Sequence, residues 1–257
     1  MGTVSIKELI SEGLHFGHAA SSWNPKMKPF IYGTKKKAHI IDLKYTVKGI
    51  VSAIHFVNQM ASQGKRFMFV GTKAQASSII EEVAKATGSF YVNQRWLGGM
   101  LTNHQVILSR IRHMIELEQI DASDNPGYSK KVLASIKRNL KKLHRDLDGV
   151  RDMTNLPDVF IVIDPTYEET AVHEAQICHI PVLGLADTNS DPDLVDLLVP
   201  GNDDSARGIR LFLYKLRDAI LEGRANPIDC KNADTTAVAE EAETEAEASD
   251  AVIAQEA

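Results

Sequence analysis

The 257-residue chain is 44% hydrophobic and 25% charged, which suits a soluble globular protein with a sizeable core. No apolar run approaches the roughly 20 residues of a membrane-spanning helix, and residues 1–16 lack the plan of a secretory signal, so a cytosolic protein is expected. The net charge of −5 conceals a division: residues 1–150 hold 22 Lys and Arg against 11 Asp and Glu, whereas residues 151–257 hold 7 against 23. The first part suits a polyanionic partner and the second would avoid one. Cys178 and Cys230 stand far apart without paired spacing, which fits a reducing compartment and argues against a cysteine-based zinc finger.

In chain order, a short helix is predicted near Ile6 to Ser11, followed by a loop rich in Trp, Pro and Lys. A long helix then runs from about Leu43 to Gln63, where Gly64 ends it. Arg66 to Val70 reads as a buried strand, Ser77 to Ala86 as a helix capped near Thr72, and Phe90 to Val92 as a second strand. After an interruption come strands at Val159 to Ile163, Val182 to Leu185 and Leu197 to Val199, with helices at Tyr167 to Cys178 and Ser205 to Leu221. Five apolar strands separated by helices predict a parallel sheet covered on both faces, a three-layer α/β/α domain built from residues 1–102 and 151–227.

The interruption spans residues 103–150. Leu133, Ile136, Leu140, Leu143, Leu147 and Val150 recur at steps of three and four, Leu108, Ile111 and Ile115 start a similar seam, and Asp124-Asn125-Pro126-Gly127 separates the two as a turn. This predicts an inserted antiparallel coiled-coil hairpin. From about Ile228 the chain is Ala, Glu, Asp and Thr without aromatic residues, and 228–257 reads as a disordered acidic tail; without it, 28 basic residues face 25 acidic ones.

Few motifs suggest catalysis. Val70-Gly71-Thr72-Lys73 follows a strand and opens a helix, so its N–H groups are candidates for holding a phosphate in a nucleotide-binding enzyme. It lacks the early glycine and the Ser or Thr of a Walker loop, and no Gly-x-Gly-x-x-Gly or Gly-x-Ser-x-Gly occurs. Asp187 to Asp193 begins like a calcium loop, but Pro192 and Leu198 replace its glycine and glutamate. Asp187, Asp203 and Asp204 follow successive strands and should gather at one sheet edge, where His18 would complete a divalent-metal site if the N-terminal loop folds over it. The competing reading is helix capping by Asp191, Asp203 or Asp204.

Aromatic and basic residues interleave in the N-terminal half. Trp23-Asn24-Pro25-Lys26-Met27-Lys28-Pro29-Phe30 sets cations beside rings, and Lys35-Lys36-Lys37 follows. Cations supply phosphate contacts and exposed rings stack on unpaired bases. The predicted hairpin adds Lys130, Lys131, Lys137, Arg138, Lys141, Lys142 and Arg145, for which a solvated face is the plainer account.

Several blocks together resemble the universal small-subunit ribosomal proteins of the second family. They are Gly13-Leu14-His15-Phe16-Gly17-His18, Trp23 to Ile31, His39-Ile40-Ile41-Asp42-Leu43, Phe69 to Lys73, Arg95-Trp96-Leu97-Gly98-Gly99-Met100-Leu101-Thr102-Asn103, Asp187 to Pro192 and Pro200-Gly201-Asn202-Asp203-Asp204. The resemblance implies a flavodoxin-like domain with a protruding hairpin, lodged between head and body of the small subunit and entering late in assembly. It implies contact with 16S ribosomal RNA, help in docking the large mRNA-binding protein S-one, no enzymatic activity and no required cofactor. On this reading Trp23, Lys26, Lys28, Lys35, Lys36, Lys37, Arg95, Lys137 and Lys141 contact RNA, while Trp96, Gly98 and Gly99 form the junction from which the hairpin leaves. His18, Asp187, Asp203 and Asp204 remain the candidate ligands of a structural metal. Two departures stand out: Ala19-Ala20-Ser21-Ser22 replaces a Gln-Thr-Arg-Arg-like run, and a lone Gly149 stands where relatives commonly carry a glycine pair.

Overall fold

The computed structural model describes residues 5–123 and 127–227; the predicted turn at 124–126 and the predicted tail at 228–257 lie outside the described residues. Helix α1 (Ile6–Ser11) opens where the Ser5 side chain accepts the Lys7 N–H. The segment predicted as a loop is instead a three-stranded antiparallel sheet, β1 (Phe16–Ala19), β2 (Ile31–Lys35) and β3 (Ala38–Ile41), in the order β1-β3-β2. Three features hide it in the sequence. The strands are short, a 3₁₀ turn at Pro25–Phe30 separates the first two, and the β2–β3 turn is Lys36-Lys37, both with positive φ, where Asn-Gly would be the usual signal.

Asp42 caps helix α2 (Leu43–Ser62) by accepting the Lys44 N–H, and Gly64 ends it with φ of 73°. Five parallel strands follow: β4 (Phe67–Val70), β5 (Phe90–Val92), β6 (Val159–Ile163), β7 (Val182–Ala186) and β8 (Leu197–Pro200). Their spatial order, β5-β4-β6-β7-β8, is that of a flavodoxin-like sheet. The predicted five-stranded parallel sheet is therefore present.

Alternate residues serve opposite faces. Phe67, Phe69, Val159, Ile161 and Ile163 pack with α2, α3 (Ala74–Thr87) and α7 (Ala206–Ala225). Met68, Val70, Phe160 and Val162 face the other way, toward α4 (His104–Ala122), α5 (Lys130–Leu147) and α6 (Glu169–Ile177). Burial on both sides explains why these strands carry continuous apolar runs. Helix α3 starts at Ala74, earlier than predicted, with Lys73 at the cap position and no side-chain cap bond, so Thr72 does not cap it.

Helices α4 and α5 pack along Ile107, Ile111, Met114 and Leu117 from one and Leu140 and Leu147 from the other. Arg151, which follows α5, reaches the later part of α4, its guanidinium donating to both Glu118 carboxylate oxygens at 2.9 and 2.6 Å. Gly149 lies against β5: a Cβ there would fall 2.0 Å from the Tyr91 carbonyl oxygen. No described helix is long and apolar enough to cross a membrane.

Candidate functional site

The carboxyl ends of the parallel strands meet at one edge, and the loops leaving β4, β6, β7 and β8 bring Thr72-Lys73, Asp164, Asp187 and Asp203-Asp204 there. Lys73 fills the centre, its Nζ 2.7 Å from Asp164, 2.9 Å from Asp203 and 2.8 Å from Asp204. Burial alone would lower the ammonium's pKa, but bonds to Asp164, Asp204 and Asp203 outweigh it and hold the group above its ordinary value. Asp164 adopts φ of 59° and accepts the Thr166 and Tyr167 N–H groups at 3.1 Å, which fixes its carboxylate.

Strand β1 lies over this edge. A Cβ on Gly17 would sit 2.8 Å from the Thr188 methyl, so the close approach requires glycine. The approach delivers His18, whose Nδ1 is 2.7 Å from Asp187 Oδ2 and whose Nε2 is 3.5 Å from Asp204 Oδ2. The hydrogen bond to Asp187 raises the His18 pKa to about 9. Asp203 is fully buried; its burial and the charge of Asp164 push its pKa up to about 7, and its Oδ2 has no hydrogen-bond partner among the described residues.

Ligand atoms of His18, Asp203 and Asp204 lie within 4.8 Å of one another, a set that suits a divalent cation. Asp187, predicted beside them, stands instead behind the imidazole, in the position of an outer-sphere partner that orients a ligating histidine. The capping reading is correct only for Asp191, which accepts the Asp193 N–H. Helix α7 is capped by Ser205, and Asn202 takes the Asp204 and Ser205 N–H groups.

The same geometry overturns the phosphate reading of Gly71 to Lys73. The Thr72 N–H and hydroxyl both donate to Glu168 Oε1, at 2.7 and 2.6 Å, and carboxylates surround the Lys73 ammonium. An anionic ligand would be repelled there. Gly71 serves packing, since a Cβ would meet Ile80 Cδ1 at 2.7 Å.

A second centre organises the stretch from Arg95 to Thr102. Glu174, on α6 and buried, accepts five hydrogen bonds: from Trp96 Nε1 (3.0 Å), the Gly99, Leu101 and Thr102 N–H groups (2.8, 3.0 and 3.3 Å) and the Thr102 hydroxyl (3.2 Å). Burial pushes its pKa up, yet the donated hydrogen bonds prevail and hold it below the usual glutamate value. Trp96 also meets Phe160 edge-on at 5.8 Å, and Gly99 turns the chain with φ of 85°. Trp96 and Gly99 thus belong to the loop that leads into α4, while a Cβ on Gly98 would meet nothing within 4 Å.

The model of the family described as Ribosomal protein S2 matches residues 9–223. The chain is 49% identical to the small ribosomal subunit protein uS2 of Solibacter usitatus, over 88% of this chain and 75% of that protein. It is 45% identical to uS2 of Petrotoga mobilis, over 89% and 80%, and 46% identical to uS2c of Guillardia theta, over 86% and 94%. The chain belongs to the ribosomal protein S2 family. Membership sets it among the structural, non-enzymatic ribosomal proteins, and the relatives it matches are named as proteins of the small ribosomal subunit.

Against that background the basic residues divide. Lys28, Lys35, Lys36, Lys37, Arg95 and Lys141 are exposed and without an ion pair among the described residues. Lys26 is engaged internally, 2.7 Å from Asp191 and 2.6 Å from Asp193, and Lys137 lies 3.5 Å from Asp121. Trp23 is half-buried with its ring 5.3 Å from that of His39, so it supports the N-terminal sheet.

Sequence reasoning missed Glu174 and Asp164. For Glu174 a signal existed: it shares a helix face with Ala171 and Ala175, both buried, and a carboxylate on such a face needs donors. Asp164 had no comparable signal, because its role rests on a left-handed turn that only the structure reveals.

Proposed function

We propose that this protein binds 16S ribosomal RNA between the head and body of the small subunit, enters late in assembly and helps dock the mRNA-binding protein S-one. The supporting observation is that six of the cations assigned to RNA, Lys28, Lys35, Lys36, Lys37, Arg95 and Lys141, are exposed and free of ion pairs among the described residues. Phosphates supply the partner charge. Lys26 and Lys137 contribute less, their charge being shared with nearby carboxylates. On this reading α4 and α5 form a coiled-coil arm, residues 103–150, leaving the globular part at 1–102 and 151–227.

The test is incorporation. Exchanging Lys35, Lys36 and Lys37 for Gln should lower the fraction sedimenting with small subunits and shift release to lower salt. Unchanged sedimentation across the salt series overturns the assignment. Loss of S-one from particles lacking this protein checks the docking role.

The sheet edge would also hold a structural divalent cation, with His18 Nε2, Asp203 Oδ2 and Asp204 as ligands and Asp187 orienting the imidazole. Such an ion would give the orphaned Asp203 oxygen a partner and tie β1 to the β8 loop. No enzymatic cofactor is implied. Metal analysis of purified protein and of Asp203→Ala decides it: a stoichiometric ion lost on substitution is expected, and its absence from both ends the assignment.

A further inference from the structure

The rings of the N-terminal sheet are not equivalent. Trp23 packs on His39, and Phe30 meets Tyr45 edge-on at 5.4 Å. Tyr32 instead stands 79% exposed on β2, an edge strand of its sheet. Thr34, two positions on and therefore on the same face, is exposed as well, so the surface next to the ring is open. Leaving a large ring in water gains no burial energy, and among the described residues no ring or cation pairs with it.

At the end of the same strand, Lys36 and Lys37 form a two-residue turn with φ of 52° and 67°. The pairing of Lys35 with Ala38 fixes that turn. Asn-Gly adopts this geometry without strain, whereas lysine carries a Cβ into a region it disfavours. The turn sequence is poor for folding and good for presenting charge, a conflict of the kind found where a segment serves binding. By the alternation of an extended strand Lys35 falls on the opposite face from Tyr32, whereas the Lys36-Lys37 turn closes the end of the strand roughly 13 Å from the ring, within reach of one short run of nucleotides.

We propose that Tyr32 and the Lys36-Lys37 turn form a binding site for unpaired RNA, in which the tyrosine ring stacks on a base and the lysines hold flanking phosphates. This rests on the reading of the protein as an RNA binder and assigns that reading's one sequence-tolerant, strand-selective contact. Stacking needs a base released from a duplex, and any base has a face to offer. Phosphate contacts by the lysines do not distinguish paired from unpaired RNA.

The experiment titrates the full chain into a short labelled unpaired RNA and into a duplex of equal length, at low and moderate salt. Tyr32→Phe should bind both as wild type does. Tyr32→Thr, which keeps a residue suited to a strand, should lose roughly 5- to 150-fold for the unpaired RNA and under about twofold for the duplex. The double variant Lys36→Asn, Lys37→Gly should unfold at higher denaturant yet bind both RNAs more weakly, with a salt slope lower by about 0.7 per lost contact on the single strand. Wild-type affinity of Tyr32→Thr for unpaired RNA overturns the stacking site while leaving RNA binding intact. Unchanged binding by the lysine variant overturns the phosphate half. A wild-type protein that binds neither RNA overturns this proposal and the RNA-binding reading together.

Discussion

Glu174→Ala is the most informative single change. One carboxylate accepts five hydrogen bonds that hold the chain from Trp96 to Thr102 against α6. Hydrogen bonds to a charged acceptor contribute about 1.5–3 kcal/mol each, but donors that share one acceptor are not additive. Removal leaves the Gly99, Leu101 and Thr102 N–H groups and the Trp96 indole to water or to nothing, at about 1–3 kcal/mol for each that stays dry. Allowing for water entry at the half-buried members, the expected loss is about 3–5 kcal/mol, a large share of the roughly 5–15 kcal/mol that separates a folded domain from its unfolded chain.

Urea unfolding followed by tryptophan fluorescence measures this directly, because Trp96 donates to the deleted group. A pH series separates the charge from the packing. The Glu174 pKa is lowered in the folded protein, so its stabilisation is full above the ordinary glutamate pKa near 4.3 and fades as pH falls through the lower folded value. Glu174→Gln should remove that dependence and still retain part of the stability, since one acceptor oxygen remains. A loss under about 1 kcal/mol for Glu174→Ala would refute the claim that this carboxylate organises the loop.

Other residues give separate tests. His18, raised to about 9, adds stability that is full below the unfolded histidine pKa near 6.5 and is lost as pH rises through about 9. In chelator-treated protein, His18→Gln should abolish up to about 3 kcal/mol of that window, and equal pH profiles for the two proteins would contradict the His18–Asp187 pair. Lys73→Met strips the ammonium from Asp164, Asp203 and Asp204 and should cost about 3–5 kcal/mol at neutral pH, less in acid as Asp203 takes up a proton. Gly149→Ala, with its Cβ 2.0 Å from the Tyr91 carbonyl, should cost about 3 kcal/mol in chemical unfolding. Gly98→Ala, which meets nothing within 4 Å, should stay within about 0.5 kcal/mol.

The central sheet was legible because its three inner strands, β4, β6 and β7, are buried on both faces. Val159–Ile163 has no polar residue to blur its boundary, and the helix between β6 and β7 is nearly as predicted. The N-terminal sheet was not legible. β2 is an edge strand whose residues are mostly exposed, so Ile31-Tyr32-Gly33-Thr34-Lys35 carries no burial pattern, and its turn lacks Asn-Gly. At the sheet edge, the carboxylates that follow β7 and β8, Asp187 and Asp203-Asp204, were expected together from the sequence, and the structure places them at that edge, with Asp164 after β6 added. Nothing in the sequence hinted that Lys73 would enter among them, because a lysine after a strand and glycine reads equally well as a phosphate ligand.

That ambiguity bears on why this sheet is a strut. Open parallel sheets bind ligands in the crevice outside the carboxyl ends of their strands. Here the crevice is taken by the chain itself: Lys73 from the β4 loop reaches the carboxylates after β6 and β8, Glu168 takes the free Thr72 N–H, and β1 closes over the top through Gly17 and His18. Contacts that an enzyme of this architecture would make to a nucleotide are made within the protein and fasten the N-terminal sheet to the parallel one. The fastening matters mechanically, because Tyr32 and Lys35 to Lys37 project from that N-terminal sheet. On the proposed RNA-binding reading, a weakened edge should therefore lower RNA affinity without touching any residue assigned to RNA. Lys73→Met, assayed where it remains folded, separates the two possibilities: reduced affinity with an unchanged salt slope fits a displaced platform, whereas a reduced slope would mean that Lys73 itself meets phosphate.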